Sequence, residues 1–343
     1  MKAVVIASTR RSSGKTSMVL GLAGALKKRC GYIKPFGDRL LYRKKRLWDY
    51  DAALVCHVFG LSEEAGSATI GFERAKLRYM YTPDALVAKL QELAATAGAD
   101  KELLFVEASS DLSAGVSVGL DALSLARALK ARLLVVVADG EDAVVDDIAF
   151  LCRSVDMSGV DFAGVVINKV RDLEEFKTTH IPELERLGVK VLGVLPHVPE
   201  LSEVSVRYVA DMLFARVVAG ERGLDARVKA VFVGAMSADA AMRYPAFQQP
   251  GKLLITSGDR ADIVLAALES NTAGIVLAHN LLPPPNVLSK ASERGVPLLL
   301  VPVDTFHAAK QVDDLEPLIT REEGDKVARL QELVASHFDL SAL

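Results

Sequence analysis

The sequence offers little that would tie it to an oxidising compartment, a membrane or a nucleic acid. Cysteine is scarce: Cys30, Cys56 and Cys152 are odd in number and widely spaced. That leaves no disulfide framework and no metal or redox spacing, so reduced, buried thiols are expected. No apolar run approaches the ~20 residues needed to span a bilayer. The few apolar residues after Met1-Lys2 give way at once to Ser8-Thr9-Arg10-Arg11, so no secretory signal is expected. Charge of one sign is missing too. Lys+Arg 41 against Asp+Glu 44 leaves a net −3, which argues against a general polyanion binder. These absences together predict a cytoplasmic protein with neither nucleic acid nor membrane as partner. The local basic clusters Lys27-Lys28-Arg29 and Arg43-Lys44-Lys45-Arg46 read as a solvated helix end and loop. Otherwise the second of them steers an anionic substrate.

Apolar residues, by contrast, make up 50% of the 343, enough for two cores in a chain long for one domain. The stretch that organises the rest is Arg10-Arg11-Ser12-Ser13-Gly14-Lys15-Thr16-Ser17, set between the apolar run Lys2–Ala7 and a stretch with helical spacing from Met18 to Leu26. Strand, small-residue loop ending in Gly-Lys-Thr, then helix is the arrangement of a phosphate-binding loop. A helix N-terminus leaves backbone N–H groups unpaired and carries about half a positive charge, so it attracts phosphate. Gly14 allows close approach of the backbone. Lys15 is expected to neutralise β/γ oxygens and Thr16 to hold Mg²⁺. The common motif has glycine where this chain has Thr9. Thr9, Ser12, Ser13, Gly14, Lys15, Thr16 and Ser17 are the candidate nucleotide contacts.

The order of elements predicts an α/β fold: a mainly parallel sheet of P-loop NTPase type with helices on both faces, then a second, smaller α/β domain. Apolar strands end at Lys34-Pro35, Glu107, Asp139-Gly140, Asn168-Lys169 and Pro196, with amphipathic helices between them. Lys34 is either an exposed lysine before a turn or a second cation on the edge that carries Lys15. Asp49 or Asp51 is either a helix N-cap or a Mg²⁺ carboxylate, and spacing alone favours the cap. Glu107 ends a buried strand, where a P-loop fold needs a carboxylate for Mg²⁺ or its water. A helix is expected through about Ala219, with Gly220-Glu221-Arg222-Gly223 as linker. The predicted domains are 1–219, 224–315 and a C-terminal helix in 316–343.

With these residues in place, the first part resembles dethiobiotin synthetase and the second the DRTGG domain. The pair resembles the N-terminal regulatory half of long phosphate acetyltransferases. Thr9 matches the synthetases, which carry Thr at that position, and Gly31-Tyr32-Ile33-Lys34-Pro35 matches their lysine element. The resemblance implies that Lys15 and Lys34 are catalytic, that Thr16, Asp51 and Glu107 hold Mg²⁺, and that Asn168 contacts adenine. The DRTGG resemblance rests on Gly234-Ala235-Met236-Ser237, Ser257-Gly258-Asp259-Arg260-Ala261-Asp262 and Val301-Pro302-Val303-Asp304-Thr305.

Two departures stand out. Ala108-Ser109-Ser110-Asp111 replaces the Gly-Ala-Gly-Gly loop that holds the synthetase substrate, and Ala278-His279-Asn280 replaces the Thr-Gly-Gly of the second domain. The implied function is an ATP- and Mg²⁺-binding regulatory protein without an acetyltransferase domain. The alternatives are an ATP-dependent ligase making a mixed phosphate on a carboxylate or carbamate, and an interaction protein with a vestigial site. The expected partners are a nucleotide, a small-molecule effector or acid substrate, a second copy in a twofold dimer, and an acetyltransferase or other metabolic enzyme.

Overall fold

A computed structural model describes residues 2–43, 46–61, 68–138 and 141–343. Lys44 and Lys45 of the second basic cluster and the Asp139-Gly140 strand end lie outside the described residues. By packing, the chain forms two units: residues 1–198 with 319–343, and residues 199–318.

The first unit is built on a six-stranded parallel sheet in the order β2-β5-β1-β6-β7-β8. Its strands are β1 (Lys2–Ser8), β2 (Cys30–Ile33), β5 (Leu103–Glu107), β6 (Arg132–Val137), β7 (Asp161–Val170) and β8 (Val191–Pro196). Both faces are covered. Val5 and Ala7 join a core with Leu104, Val106, Leu133 and Val135, while the alternate residues Val4, Ile6 and Phe105 are buried as well. That double burial is why these strands read as continuous apolar runs. A hairpin of β3 (Leu40–Arg43) and β4 (Arg46–Asp49) follows β2.

Two helices frame the carboxyl edge. α1 (Lys15–Leu26) follows the loop after β1, and α2 (Tyr50–Val58) follows the hairpin. The C-terminal helix Gly324–His337 lies along α1, where small residues allow close approach. A Cβ on Gly21 would sit 2.4 Å from Val334 Cγ2, and one on Gly24 would sit 2.2 Å from Gln331 Cδ.

The second unit holds a five-stranded sheet in the order β10-β15-β14-β13-β12. Strands β12 (Ala230–Val233), β13 (Lys252–Ser257), β14 (Thr272–Ala278) and β15 (Leu298–Leu300) are parallel, and β10 (Arg216–Ala219) is antiparallel. A short pair, β9 (Val204–Ser205) with β11 (Arg227–Val228), completes the strands. Leu254 and Leu277 enter one core, Leu253 and Val276 another, so this sheet too is buried on both faces.

The packing cut falls after Val198, earlier than the 219/224 cut drawn from the glycine signal. The helix expected through about Ala219 is a helix, Val206–Met212, and then strand β10. Phe214 takes a left-handed conformation at φ 50 and ends the helix, after which the β-branched pair Val217-Val218 favours a strand. The supposed linker is tightly packed: a Cβ on Gly220 would sit 2.0 Å from Val296 O.

A sharp test concerns Gly31, at the start of the Gly-Tyr-x-Lys-Pro element. A Cβ there would lie 2.2 Å from the backbone oxygen of Ala97. Gly31→Ala is expected to cost about 1–3 kcal/mol through overpacking, read as a lower urea midpoint with an unchanged m-value. An unchanged midpoint would contradict the packing described.

Candidate functional site: a phosphate loop beside a carboxylate cage

The loop between β1 and α1 carries two left-handed residues, Ser12 at φ 59 and Gly14 at φ 100. Gly14 is the N-cap of α1, and no side chain caps that end, which leaves its first N–H groups for an anion. A Cβ on Gly14 would lie 2.3 Å from Asn168 Nδ2. Two donors from the end of β7 hold this loop: Asn168 Nδ2 donates to Ser13 O at 2.9 Å, and Lys169 Nζ to Ser12 O at 2.8 Å. Lys169 is itself left-handed at φ 63. Asn168 Oδ1 accepts from Lys169 N at 3.0 Å. The Asn168 amide thus bonds both to the loop and to its own turn.

Lys15 is buried and folds back on the loop, donating to Ser8 Oγ and Ser110 O, each at 2.9 Å. Burial lowers its pKa, against the pull of Glu107. Thr16 Oγ1 donates to Glu107 Oε1 at 2.8 Å, and Tyr32 OH to Glu107 Oε2 at 2.9 Å. Ser13 Oγ donates to Arg10 O at 2.9 Å. Thr9 Oγ1 is buried with no hydrogen-bond partner, and Ser17 lies in the first turn of α1.

Beside this loop, Lys34 is 1% exposed and enclosed by carboxylates. Its Nζ lies 2.5 Å from Asp38 Oδ1, 2.6 Å from Asp51 Oδ2, 3.3 Å from Asp49 Oδ1 and 4.0 Å from Glu107 Oε1. Burial alone would lower its pKa; the four carboxylates outweigh burial and hold it well above the usual lysine range. The choice between Asp49 and Asp51 resolves into two jobs. Asp49 caps α2 by accepting from Ala52 N at 3.1 Å, and accepts from Asp38 N and Arg39 N at 3.0 and 3.2 Å. Asp51, in the first turn of α2 and buried, pairs with Lys34 and with Arg39 Nη1 at 3.1 Å. Burial pushes Asp51 upward, but those two cations hold it below the ordinary carboxylate range. Burial pushes Glu107 up to about 7, with Lys34 opposing and Asp51 reinforcing.

The predicted residues Lys15, Thr16, Lys34, Asp51 and Glu107 thus share one edge of the sheet. Thr16, Asp51 and Glu107 offer hard oxygens of the kind that suits Mg²⁺. Sequence reasoning missed Asp38, Arg39 and Lys169 as site residues, and gave Tyr32 no role beyond its place in the lysine element. Asp38 and Arg39 stand within five residues of Lys34, but nothing in their spacing marks them.

The altered loop turns on itself. Asp111 Oδ1 accepts from Ser113 N, Ser113 Oγ and Ala114 N, and its Oδ2 from Ser110 Oγ. In the second unit, His279 and Asn280 keep a left-handed turn at φ 60 and 54, with their N–H groups on Val303 O and Val301 O, both at 2.8 Å.

Two family matches divide the chain much as these sites do. The AAA domain family matches residues 2–205, and the DRTGG domain family residues 208–315. The chain belongs to this AAA domain family. It is the dethiobiotin synthetase-like P-loop type, here followed by a DRTGG domain. Among curated relatives, the phosphate acetyltransferase of Pseudomonas aeruginosa is 26% identical over 375 aligned positions, covering 100% of this chain and 52% of the relative. That of Pseudomonas putida is 30% identical over 194, covering 52% of this chain and 28% of the relative. That of Nitratidesulfovibrio vulgaris is 24% identical, covering 98% and 50%. The chain spans about half the length of the curated relatives that it matches from end to end.

Solved structures give fainter likenesses. MinD in the MinC:MinD complex of Aquifex aeolicus is 16% identical with a TM-score of 0.38, over 59% of this chain and 84% of that one. The regulatory region of Clostridium perfringens pyrophosphatase, with CBS and DRTGG domains and the activator diadenosine tetraphosphate, is 22% identical with a TM-score of 0.30. That likeness covers 36% of this chain and 54% of that one. No helix among the described residues is long and apolar enough to cross a membrane.

The raised pKa of Glu107 makes stability depend on pH. Its folded value of about 7 exceeds the ordinary glutamate value of 4.5. The folded state therefore binds the proton more tightly, and this contribution is fully present below the unfolded value and lost as pH rises through about 7. Relative to Glu107→Gln, the wild type is expected to lose stability between pH 5 and pH 8, at about 1.4 kcal/mol per unit of displacement. Urea midpoints of both proteins across that range measure it. Parallel curves would contradict the burial argument.

Proposed function

We propose that this chain binds Mg·ATP, or a related nucleotide, at the N-terminus of α1 and acts as a regulatory module. The proposal extends the likeness to the N-terminal half of phosphate acetyltransferases. The observation that carries it is the set of Lys15, Thr16 and Glu107 joined at an uncapped helix start, with Lys34 beside them. Lys15 rests on Ser8 Oγ and Ser110 O, two neutral acceptors. A phosphate would replace them with a charge-assisted partner, roughly twice as strong. Thr16, Asp51 and Glu107 are the proposed holders of Mg²⁺, which when bound neutralises charge on the phosphates. Lys34, charged throughout the physiological range, offsets part of the negative charge of the carboxylates beside the loop. Ser12, Ser13, Gly14 and Ser17 supply the loop that wraps them, and Asn168 keeps it in shape.

The second unit is the proposed site of effector sensing or assembly, with a second copy of the chain or a metabolic enzyme as partner. The loop Ala108–Asp111, closed on its own hydrogen bonds, favours binding over dethiobiotin-like chemistry.

Titration with Mg·ATP tests the reading. Saturable binding is expected, and a nucleotide at 100 times its Kd should add about 2.7 kcal/mol of stability. Lys15→Ala should abolish both signals. No saturable binding with Mg·ATP raised to about 1 mM, the upper end of common KM values, would overturn it.

A further inference from the structure

Arg39 belongs to none of the motifs that mark the site, yet it is among the most firmly placed residues there. Its backbone is fixed from both sides: Arg39 N donates to Asp49 Oδ2 at 3.2 Å, and Arg39 O accepts from Tyr50 N at 2.8 Å. Two contacts of its guanidinium link the carboxylate cage to the phosphate loop. Nη1 lies 3.1 Å from both oxygens of Asp51, while Nη2 reaches Ser12 Oγ, in the phosphate loop, at 3.4 Å. The side chain keeps 18% of its surface exposed, so it stands at the rim of the site rather than inside the cage.

The two ends of this guanidinium differ in strength. The Asp51 end is an ion pair with a buried carboxylate. The Ser12 end is a long contact to a neutral hydroxyl, well beyond the usual N–H···O distance of about 2.9 Å. A phosphate oxygen entering the loop offers Nη2 a shorter, charge-assisted bond in its place. Arginine suits this role because its planar fork is held in one orientation by the carboxylate at its other end, so little further freedom is lost on binding. Asp51 is shared between Arg39 and Lys34, which lies 2.6 Å away.

We propose that Arg39 is a phosphate-binding residue of the nucleotide site, anchored by Asp51 and directed at the terminal phosphate of a nucleoside triphosphate. It belongs to the segment between β2 and β3, whereas Lys15 opens α1. The assignment rests on the nucleotide reading above and adds a specificity to it: the site distinguishes nucleotides by the number of their phosphates.

The test compares binding of Mg·ATP, Mg·ADP and AMP to the wild type, Arg39→Ala and Arg39→Lys by calorimetric titration, with urea unfolding of each free protein as the folding control. Arg39→Ala should weaken Mg·ATP about 10- to 100-fold, as expected for a lost charge-assisted fork, and Mg·ADP less than about threefold. Arg39→Lys keeps the charge without the fork and should recover only part of the Mg·ATP affinity; it also carries the test should the alanine variant not fold. Equal losses for Mg·ATP and Mg·ADP in Arg39→Lys, or no loss for either, would show that Arg39 merely supports Asp51 and would overturn the proposal. If the wild type binds none of the three, the nucleotide reading fails first and this proposal with it.

Discussion

The first unit's site depends on one buried cation. Lys34 sits within 4.0 Å of Asp38, Asp49, Asp51 and Glu107, in surroundings where an unpaired charge of either sign would cost several kcal/mol. Each carboxylate reaches it from a different place in the chain. Glu107 ends β5, Asp49 caps α2, Asp51 lies in the first turn of that helix, and Asp38 follows the turn after β2. The ammonium therefore binds together the segments that form the carboxyl edge of the sheet. The phosphate loop joins the same network through the bond between Thr16 and Glu107.

Bonds from other parts of the chain also hold the loop in shape. A run of small residues such as Ser12 to Gly14 has little packing of its own to fix it, and its left-handed residues carry a conformational cost. The cost is offset by bonds from outside: Asn168 and Lys169 take the carbonyls of Ser13 and Ser12, and Lys15 closes onto Ser110. The N–H side of the loop is thereby left facing the place where an anion would sit. The same logic extends to the supporting helices. The chain returns from the second unit at Ile319, whose carbonyl accepts from Tyr50 OH, and Arg321 donates to Ala53 O, both on α2. The C-terminal helix that follows lies along α1.

Much of this was legible in the sequence because it is local. The strand, loop and helix around Gly14-Lys15-Thr16 announce themselves by composition and period, and Glu107 by ending a run of buried residues. The double burial of both parallel sheets is what made their strands stand out. What escaped was either non-local or encoded in side chains common on any surface. Arg39 and Asp38 look like ordinary turn residues until the fold sets them against Asp51 and Lys34. Asn168 was expected to contact adenine, whereas its bond to Ser13 spans 155 residues of sequence and leaves no local signal. The glycines at 220 and 223 misled for a related reason. They look like a linker, yet they are there because Val296 and Gly295 pass too close for a side chain.

The central claim is that the uncapped start of α1, with Lys15 beside the caged Lys34, is a receptor for a nucleotide's phosphates. A crystal structure with Mg²⁺ and a non-hydrolysable ATP analogue addresses it directly. The account predicts phosphate density against the N–H groups of Lys15 and Thr16, with Lys15 Nζ drawn from Ser8 and Ser110 onto a phosphate oxygen. Density elsewhere on the chain, with Lys15 still bonded to Ser8 and Ser110, would contradict it.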